Sequence, residues 1–322
     1  MDRLITALIV LIGVPVVLVG YILIVEQVMK VLPGRTGDRL RPWFWLLPAI
    51  ALLVVFLVYP TVNTIVLSFM DRFSREFVGF ANYEYVFTTN GTIDAIRNSI
   101  LWLVFLTLGT LAFGLIIAIL VDRVRYESAA KSVIFVPLAI SFVAAGIIWL
   151  FMYTYRPPGT PQTGTINAFI GLFGLGPVPW TIEQPINNFA LIGVGVWMWT
   201  GFAMVILSAG LKGISVELLE AARVDGANEW QVFRRIILPL LTPTLFVVGT
   251  TMVITALKSF DIVYTMTNGN FNTDVIARRM YAEMFNFNQF GRASAIAVVL
   301  LLAIVPFMAI NIRNFRQQEA SR

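Results

Sequence analysis

The chain has 322 residues, of which 58% are apolar and only 13% charged, with a net charge of +5 and neither histidine nor cysteine. A water-soluble core cannot hide so much apolar surface under so little polar cover, and a disordered chain would be charge-rich and aromatic-poor. Disulfides, zinc sites, thiolate nucleophiles and imidazole bases are excluded together.

A bilayer crossing needs about 20 apolar residues. Seven uncharged stretches reach that length: 4–25, 42–70, 98–121, 132–155, 184–211, 236–257 and 293–312. The fold class is therefore all-α, a polytopic transmembrane helical bundle. The first stretch is too long for the apolar part of a signal peptide and no small-x-small cleavage site follows, so a retained helix is expected. A polar linker, Pro33-Gly34-Arg35-Thr36-Gly37-Asp38, sets it apart. The division into segments is 1–42 (first helix and linker), 43–314 (main membrane domain) and 315–322 (tail). Segment 157–182 is also uncharged, but its five prolines and five glycines make it a loop rather than a span, with one short helix around 165–173.

Lysine and arginine set the orientation. Loops 26–42, 122–131 and 212–235 and the C-terminal tail carry 14 of the 23 basic residues on short connections. That side is expected to be cytoplasmic, which puts the N-terminus outside and the C-terminus inside. The positive charge then orients helices and gives no sign of nucleic acid as a partner. The spans carry no ionisable residue, which argues against an ion-coupled secondary transporter.

One cytoplasmic connection is organised. Ser215 can N-cap a helix over Val216–Val224 with Glu217 in its first turn, and Asp225-Gly226 stops it. Asn228-Glu229-Trp230-Gln231 reads as a second N-cap with its capping-box partner, starting a helix that runs toward Pro239. Pattern alone allows two readings: an amphipathic helix lying on lipid headgroups, or a knob for a soluble partner, with Ala221, Ala222, Gly226 and Ala227 permitting close approach.

The stretch EAARVDGANEWQVFRRIILPLLTP resembles the EAA motif of ABC importer permeases, without a gap. Tyr59-Pro60 with Ser68-Phe69, the run Phe77-Val78-Gly79-Phe80-Ala81-Asn82-Tyr83, Phe260-Asp261-x-Val263-Tyr264 and Thr267-Asn268-Gly269 resemble the carbohydrate branch, MalF-type. The resemblance covers roughly 43–314. It implies a six-helix permease core with one extra N-terminal helix, in the cytoplasmic (inner) membrane of a bacterium or archaeon. It implies a non-catalytic subunit of a sugar importer, with ATP and Mg²⁺ bound by a separate ATPase. It also implies the partners: a second homologous permease, a cytoplasmic ABC ATPase dimer, an extracytoplasmic solute-binding protein, the lipid bilayer and a sugar. Transferred by position, Glu220 is the polar anchor on the ATPase, and Ala221 and Ala222 are the close-contact face. Asp225, Gly226 and Ala227 form the turn, Ile236, Leu238 and Pro239 pin the loop to the membrane domain, and Phe233 belongs to the same ATPase-coupling set. This chain has no G-x-x-x-x-G-K-[ST] phosphate loop of its own. Loops 71–97 and 156–183 are the expected landing surface for the binding protein.

For a solute path, indoles that stack on sugar C–H faces and hydroxyls that bond sugar oxygens are the natural residues. Trp197, Trp199 and Phe202 in the fifth stretch, and Thr255, Ser259 and Asp261 at the end of the sixth, supply both. For the tryptophans an interfacial aromatic belt is an equal alternative. Lys258 and Asp261, three apart, are expected to pair at the membrane edge, and apolar Met252 and Ala256 stand where cavity helices often carry polar residues. The leaning is toward a disaccharide or α-glucoside; a polyol or a glycerol-phosphate-type ligand is the alternative.

Overall fold

The computed structural model describes residues 2–31, 34–122 and 124–320. Pro33, Arg123 and Arg322, used above for the linker and the orientation, lie outside the described residues. Among the described residues every regular element is helical, and one isolated bridge joins Met70 to Phe77. The chain forms two compact units, Met1–Thr64 and Ile65–Arg322.

In the first unit, α1 (Asp2–Val31) and α2 (Gly34–Leu53) are long helices. The expected polar linker is helical from Gly34 onward, where α2 begins. Tyr21 donates its hydroxyl proton to the Phe44 carbonyl. A π-helical turn, Val54–Val58, leads from α2 into α3 (Tyr59–Leu67). The Tyr59 N–H bonds back five residues to Val54, and the next residue is Pro60. Proline donates no hydrogen bond and its ring crowds the carbonyl four residues back, so a widened turn accommodates it.

In the second unit, Asn82 closes the end of α3. Its side-chain amide donates to the carbonyls of Ser68 (2.9 Å) and Met70 (2.7 Å), and the Ser68 hydroxyl meets that of Tyr83 at 2.6 Å. The sequence run around Gly79 and Asn82 is thus a cap for carbonyls that α3 leaves without intrahelical partners at its end. Next come α4 (Ala81–Thr88) and α5 (Asn90–Val121).

The fourth predicted span, 132–155, is not one straight helix. Helix α6 (Glu127–Phe135) tightens into a 3₁₀ turn at Val136–Ala139 and breaks, and α7 (Phe142–Met152) leaves at 98° to it. Pro137 removes a donor, Ile140 and Ser141 are extended, and the Ser141 hydroxyl accepts from the Ala144 N–H at 3.1 Å. The other six predicted spans each correspond to a helix long and apolar enough to cross a membrane. A short helix, α8 (Thr165–Gly171), lies in the proline- and glycine-rich loop.

The central element is α9 (Ile186–Lys212), with 61% of its apolar window buried against 33% for α5. Its N-terminal half packs Leu191, Val194 and Met198 against Trp102 and Leu106 of α5. Its C-terminal half packs Ala203, Met204 and Leu207 against Ala118 of α5 and a later helix at Leu241, Val248 and Met252. At Gly201 the backbones of α9 and α6 touch. A Cβ there would lie 2.5 Å from the Ile134 carbonyl oxygen and 2.7 Å from the Phe135 Cα. Small residues let membrane helices approach this closely.

Two short helices follow, α10 (Val216–Val224) and α11 (Glu229–Val232). A second π-helical turn, Phe233–Ile237, precedes α12 (Leu238–Leu257), whose second residue is Pro239, repeating the arrangement before Pro60. The remaining helical elements are α13 (Asp261–Met266), α14 (Ile276–Tyr281), a third π-helical turn at Ala282–Asn286, and α15 (Phe290–Ala320). Between α13 and α14, Asn268, Gly269, Phe271 and Asn272 have positive φ and reverse the chain.

Replacing Gly201 by alanine should lower the stability of the purified protein by about 1–3 kcal/mol, the usual cost of overpacking. Thermal unfolding in detergent measures it; an unchanged midpoint would show that α6 and α9 separate freely.

Candidate functional site

Two regions carry the functional candidates. The first is the connection from α9 to α12. Helix α10 begins after Ser215, whose extended backbone is that of an N-cap. Its hydroxyl, however, bonds the Glu217 carboxylate rather than a backbone N–H, and this holds the Glu217 carboxyl below its ordinary value. Helix α10 ends on Gly226 at φ +85°. The Gly226 N–H bonds the Arg223 carbonyl (3.0 Å) and the Ala227 N–H bonds that of Ala222 (3.0 Å). These two bonds form a Schellman ending. A complete capping box then opens α11: the Gln231 N–H donates to Asn228 Oδ1 and the Asn228 N–H to Gln231 Oε1, each at 2.9 Å. Across the turn, Arg223 Nε lies 2.8 Å from Glu229 Oε1, and this bond raises the Arg223 pKa further.

The loop is fixed in shape yet open on its surface. Glu220, Ala221, Asp225 and Gly226 are exposed, and Ala222 and Ala227 are half-buried. Large apolar side chains stand in the open: Val216, Leu218, Val224 at 87% exposure and Trp230 at 65%. Phe233 is half-buried under Trp230, with ring centroids 5.7 Å apart. Ile236 and Leu238 are half-buried at the loop's root, and Pro239 is exposed. Rigid backbone with unpartnered apolar groups at its tip is the pattern of a docking element.

The second region is a cavity of about 390 Å³. Its walls come from α5 (Trp102, Leu106), the start of α7 (Phe142), α9 (Gly195, Trp199), the end of α12 (Ile254, Thr255) and the α12–α13 junction (Lys258 to Ile262). The volume is in the range of small-molecule sites. Of the six path residues named from sequence, Trp199, Thr255, Ser259 and Asp261 line it together. Trp197 points elsewhere, meeting Trp149 at 5.6 Å. Phe202 stands behind Trp199, edge-on at 5.5 Å. Met252 and Ala256, 0% and 2% exposed, belong to the core, so their apolar character leaves the cavity wall polar where Thr255 and Ser259 stand.

Lys258 and Asp261 do not pair. Their spacing fits one helical turn only if the helix continues. Instead α12 ends at Leu257, and Phe260 (φ −136°, ψ −56°) starts α13 afresh. Among the described residues no ion pair joins the two side chains, and both face the cavity. Beside this junction Phe260 stacks on Tyr264 at 5.1 Å, and Tyr281 joins them at 5.2 and 5.5 Å.

Sequence reasoning missed Trp102 and Phe142. Phe142 reaches the cavity because α7 turns away from α6, and it stacks on Trp199 at 6.1 Å. Pro137 followed by Ser141 was the available signal of that break. Trp102 gave no local signal.

Comparison with known proteins places the chain among transport proteins. The family described as binding-protein-dependent transport system inner membrane component matches residues 110–313. The osmoprotective compounds uptake permease protein GgtC of Synechocystis sp. is 55% identical over 275 residues, 85% of this chain and 99% of that protein. The alpha-glucoside transport system permease protein AglF of Rhizobium meliloti is 45% identical over 281 residues, 87% of this chain and 84% of that one. A solved bacterial ABC transporter involved in import of the acidic polysaccharide alginate shares the fold. It has a TM-score of 0.73 at 23% identity, covering 87% of this chain and 99% of the matched one.

At φ +85° any side chain at Gly226 is strained, and a β-branched one most. Gly226→Val should open the loop at a cost of about 1–3 kcal/mol, while Gly226→Asn should keep it closed. Limited proteolysis between Val224 and Asn228 distinguishes them; equal cleavage of both would contradict the Schellman ending as the loop's lock.

Proposed function

The chain belongs to the family of binding-protein-dependent transport system inner membrane components, and on that premise we propose that it is a permease subunit of an ATP-driven sugar importer of the inner membrane. The observation that carries the mechanism is the α10–α11 loop, locked by a Schellman ending and a capping box while presenting Val216, Leu218, Val224 and Trp230 to the outside.

Half of the translocation path is formed by this chain and half by a second, homologous permease. A pair of cytoplasmic ABC ATPases binds ATP and Mg²⁺, and this chain carries no catalytic step. Glu220 anchors the loop on the ATPase, and Ala221, Ala222 and Ala227 permit close approach. When the ATPases close, the loop moves as a rigid body and the cavity changes the side to which it opens. Phe233, Ile236, Leu238 and Pro239 carry that motion into α12 through the π-helical turn. An extracytoplasmic binding protein delivers the solute to the face holding loops 71–97 and 156–183. The α10–α11 loop and the C-terminus lie in the cytoplasm and the N-terminus outside, a reading supported by the basic residues of the short loops.

The solute is a neutral, polyhydroxylated sugar of α-glucoside or related osmolyte type. In support, the cavity combines the Trp199 and Trp102 indoles with the Thr255 and Ser259 hydroxyls, and it holds one charge of each sign, Lys258 and Asp261. The named relatives take up osmoprotective compounds and alpha-glucosides. Trp199 stands 13 residues from Lys212, about 20 Å along the helix axis, which puts it deep in the span and favours the path over an interfacial belt.

Glu220→Lys should abolish co-purification of the ATPase and transport together while leaving the chain in the membrane. Intact assembly and uptake in this variant would overturn the docking assignment. Trp199→Ala should leave the ATPase bound but cut uptake of an α-glucoside such as trehalose by about fivefold or more, about 1 kcal/mol for a lost stacking partner. Uptake at the parent rate would remove Trp199 from the path.

A further inference from the structure

A cluster of charged side chains sits between the α10–α11 loop and the cavity, and nothing above uses it. Lys131 of α6 lies 2.8 Å from Asp122, at the end of α5, and 2.5 Å from Glu127, at the start of α6. It also bonds the hydroxyl of Ser208 on α9, and that hydroxyl donates to Asp122 at 2.6 Å. Glu127 is bridged in turn to Lys212, the last residue of α9. The Lys131 and Asp122 side chains are each 19% exposed and Ser208 is buried, so water screens the inner part poorly. Three helix ends are thereby tied at one point, four residues before α10 begins.

What the cluster holds is continuous with the cavity. Above it α6 and α9 are in backbone contact at Gly201. Above that, α6 breaks and α7 begins with Phe142, which lines the cavity stacked on Trp199 of α9. A displacement at Lys212 therefore meets two routes. Through α9 alone it moves Trp199. Through the Glu127–Lys131–Asp122 cluster it also moves α6, the break at Ile140-Ser141 and Phe142.

We propose that Lys131 is a positioning residue for transport: it clamps α6 to the loop-bearing end of α9, so that motion of α10 moves both aromatic walls of the cavity together. Without Lys131, Asp122 and Glu127 lose the cation between them, and α9 slides past α6 while α10 still engages its partner. ATP hydrolysis then runs without the cavity changing sides. A physical coupling claim needs an element that both sites bias, and here that element is the clamped α6–α9 pair. This inference rests on the reading of the α10–α11 loop as the ATPase-docking element.

The absence of cysteine from the chain makes the test direct. Ser259→Cys places a single thiol on the cavity wall. The assembled transporter, with its co-expressed permease and ATPase partners, is reconstituted in proteoliposomes, and a membrane-impermeant maleimide is added at the outer face, with and without ATP and vanadate. With Lys131 in place, labelling of this chain should rise about fivefold or more on nucleotide trapping. In Lys131→Met and in Lys212→Met the rise should be lost while ATP hydrolysis and co-purification persist, and Lys131→Arg should restore it. An undiminished rise in both methionine variants overturns the clamp. If Lys131→Met does not assemble, Lys212→Met decides alone, since Lys212 is 56% exposed and carries one ion pair of the cluster. If no ATPase co-purifies with the Ser259→Cys parent, the docking reading fails, and the clamp with it.

Discussion

A helix in lipid cannot end or bend unless the backbone groups it frees find partners inside the protein. The architecture of this permease depends on that constraint, and two of its breaks, between α6 and α7 and between α12 and α13, line the cavity. Asn82 closes α3 by donating to two carbonyls, and Ser141 opens α7 by accepting from Ala144. The two interior prolines that start new helices, Pro60 and Pro239, each follow a π-helical turn. The chain reversal at Asn268 to Asn272 is held in the same way by Asn98 of α5, whose amide donates to the carbonyls of Asn272 (2.8 Å) and Asp274 (2.9 Å).

From these breaks the cavity follows. It lies where α12 stops at Leu257 and α13 restarts at Phe260, opposite the point where α7 turns away from α6. Continuous helices would pack Lys258 against Asp261 and carry Phe142 away from Trp199. Broken ones leave both charges facing the same space and bring Phe142 onto Trp199 in its wall. The α10–α11 loop obeys the same rule in water, where its two helix ends are closed by their own side chains and backbone. Shape is thus fixed locally, and the apolar tip is left for a partner to cover.

Much of this was legible in the residues. The spans follow from apolar length alone, and the end of α10 follows from Gly226 and the start of α11 from Asn228 and Gln231, because caps are local chemistry; Ser215 marks the start of α10 by position, with its hydroxyl turned to Glu217 instead of a backbone N–H. What was not legible depends on distant parts of the chain. The bend after Pro137 was hidden because the surrounding residues are apolar enough for one straight span, and hydropathy does not register a break. The Lys258–Asp261 pairing was misread because spacing counts as contact only on an unbroken helix. The buried group of Tyr85, Arg279 and Glu283 was invisible: Tyr85 bonds Glu283 at 2.7 Å across nearly two hundred residues, with the Glu283 side chain 2% exposed. Among the site candidates, Trp199, Thr255, Ser259 and Asp261 come together, whereas Trp197 is drawn aside by Trp149.

The central claim is that the exposed tip of α10 is covered by the ATPase. Val224, 87% exposed, is the most open apolar side chain of the loop, and in a chain without cysteine a single thiol there reports on nothing else. Val224→Cys should react quickly with maleimide in the chain alone and be protected several-fold in the assembled transporter, with protection lost when the ATPase is stripped by urea. Equal reactivity with and without the ATPase would contradict the account.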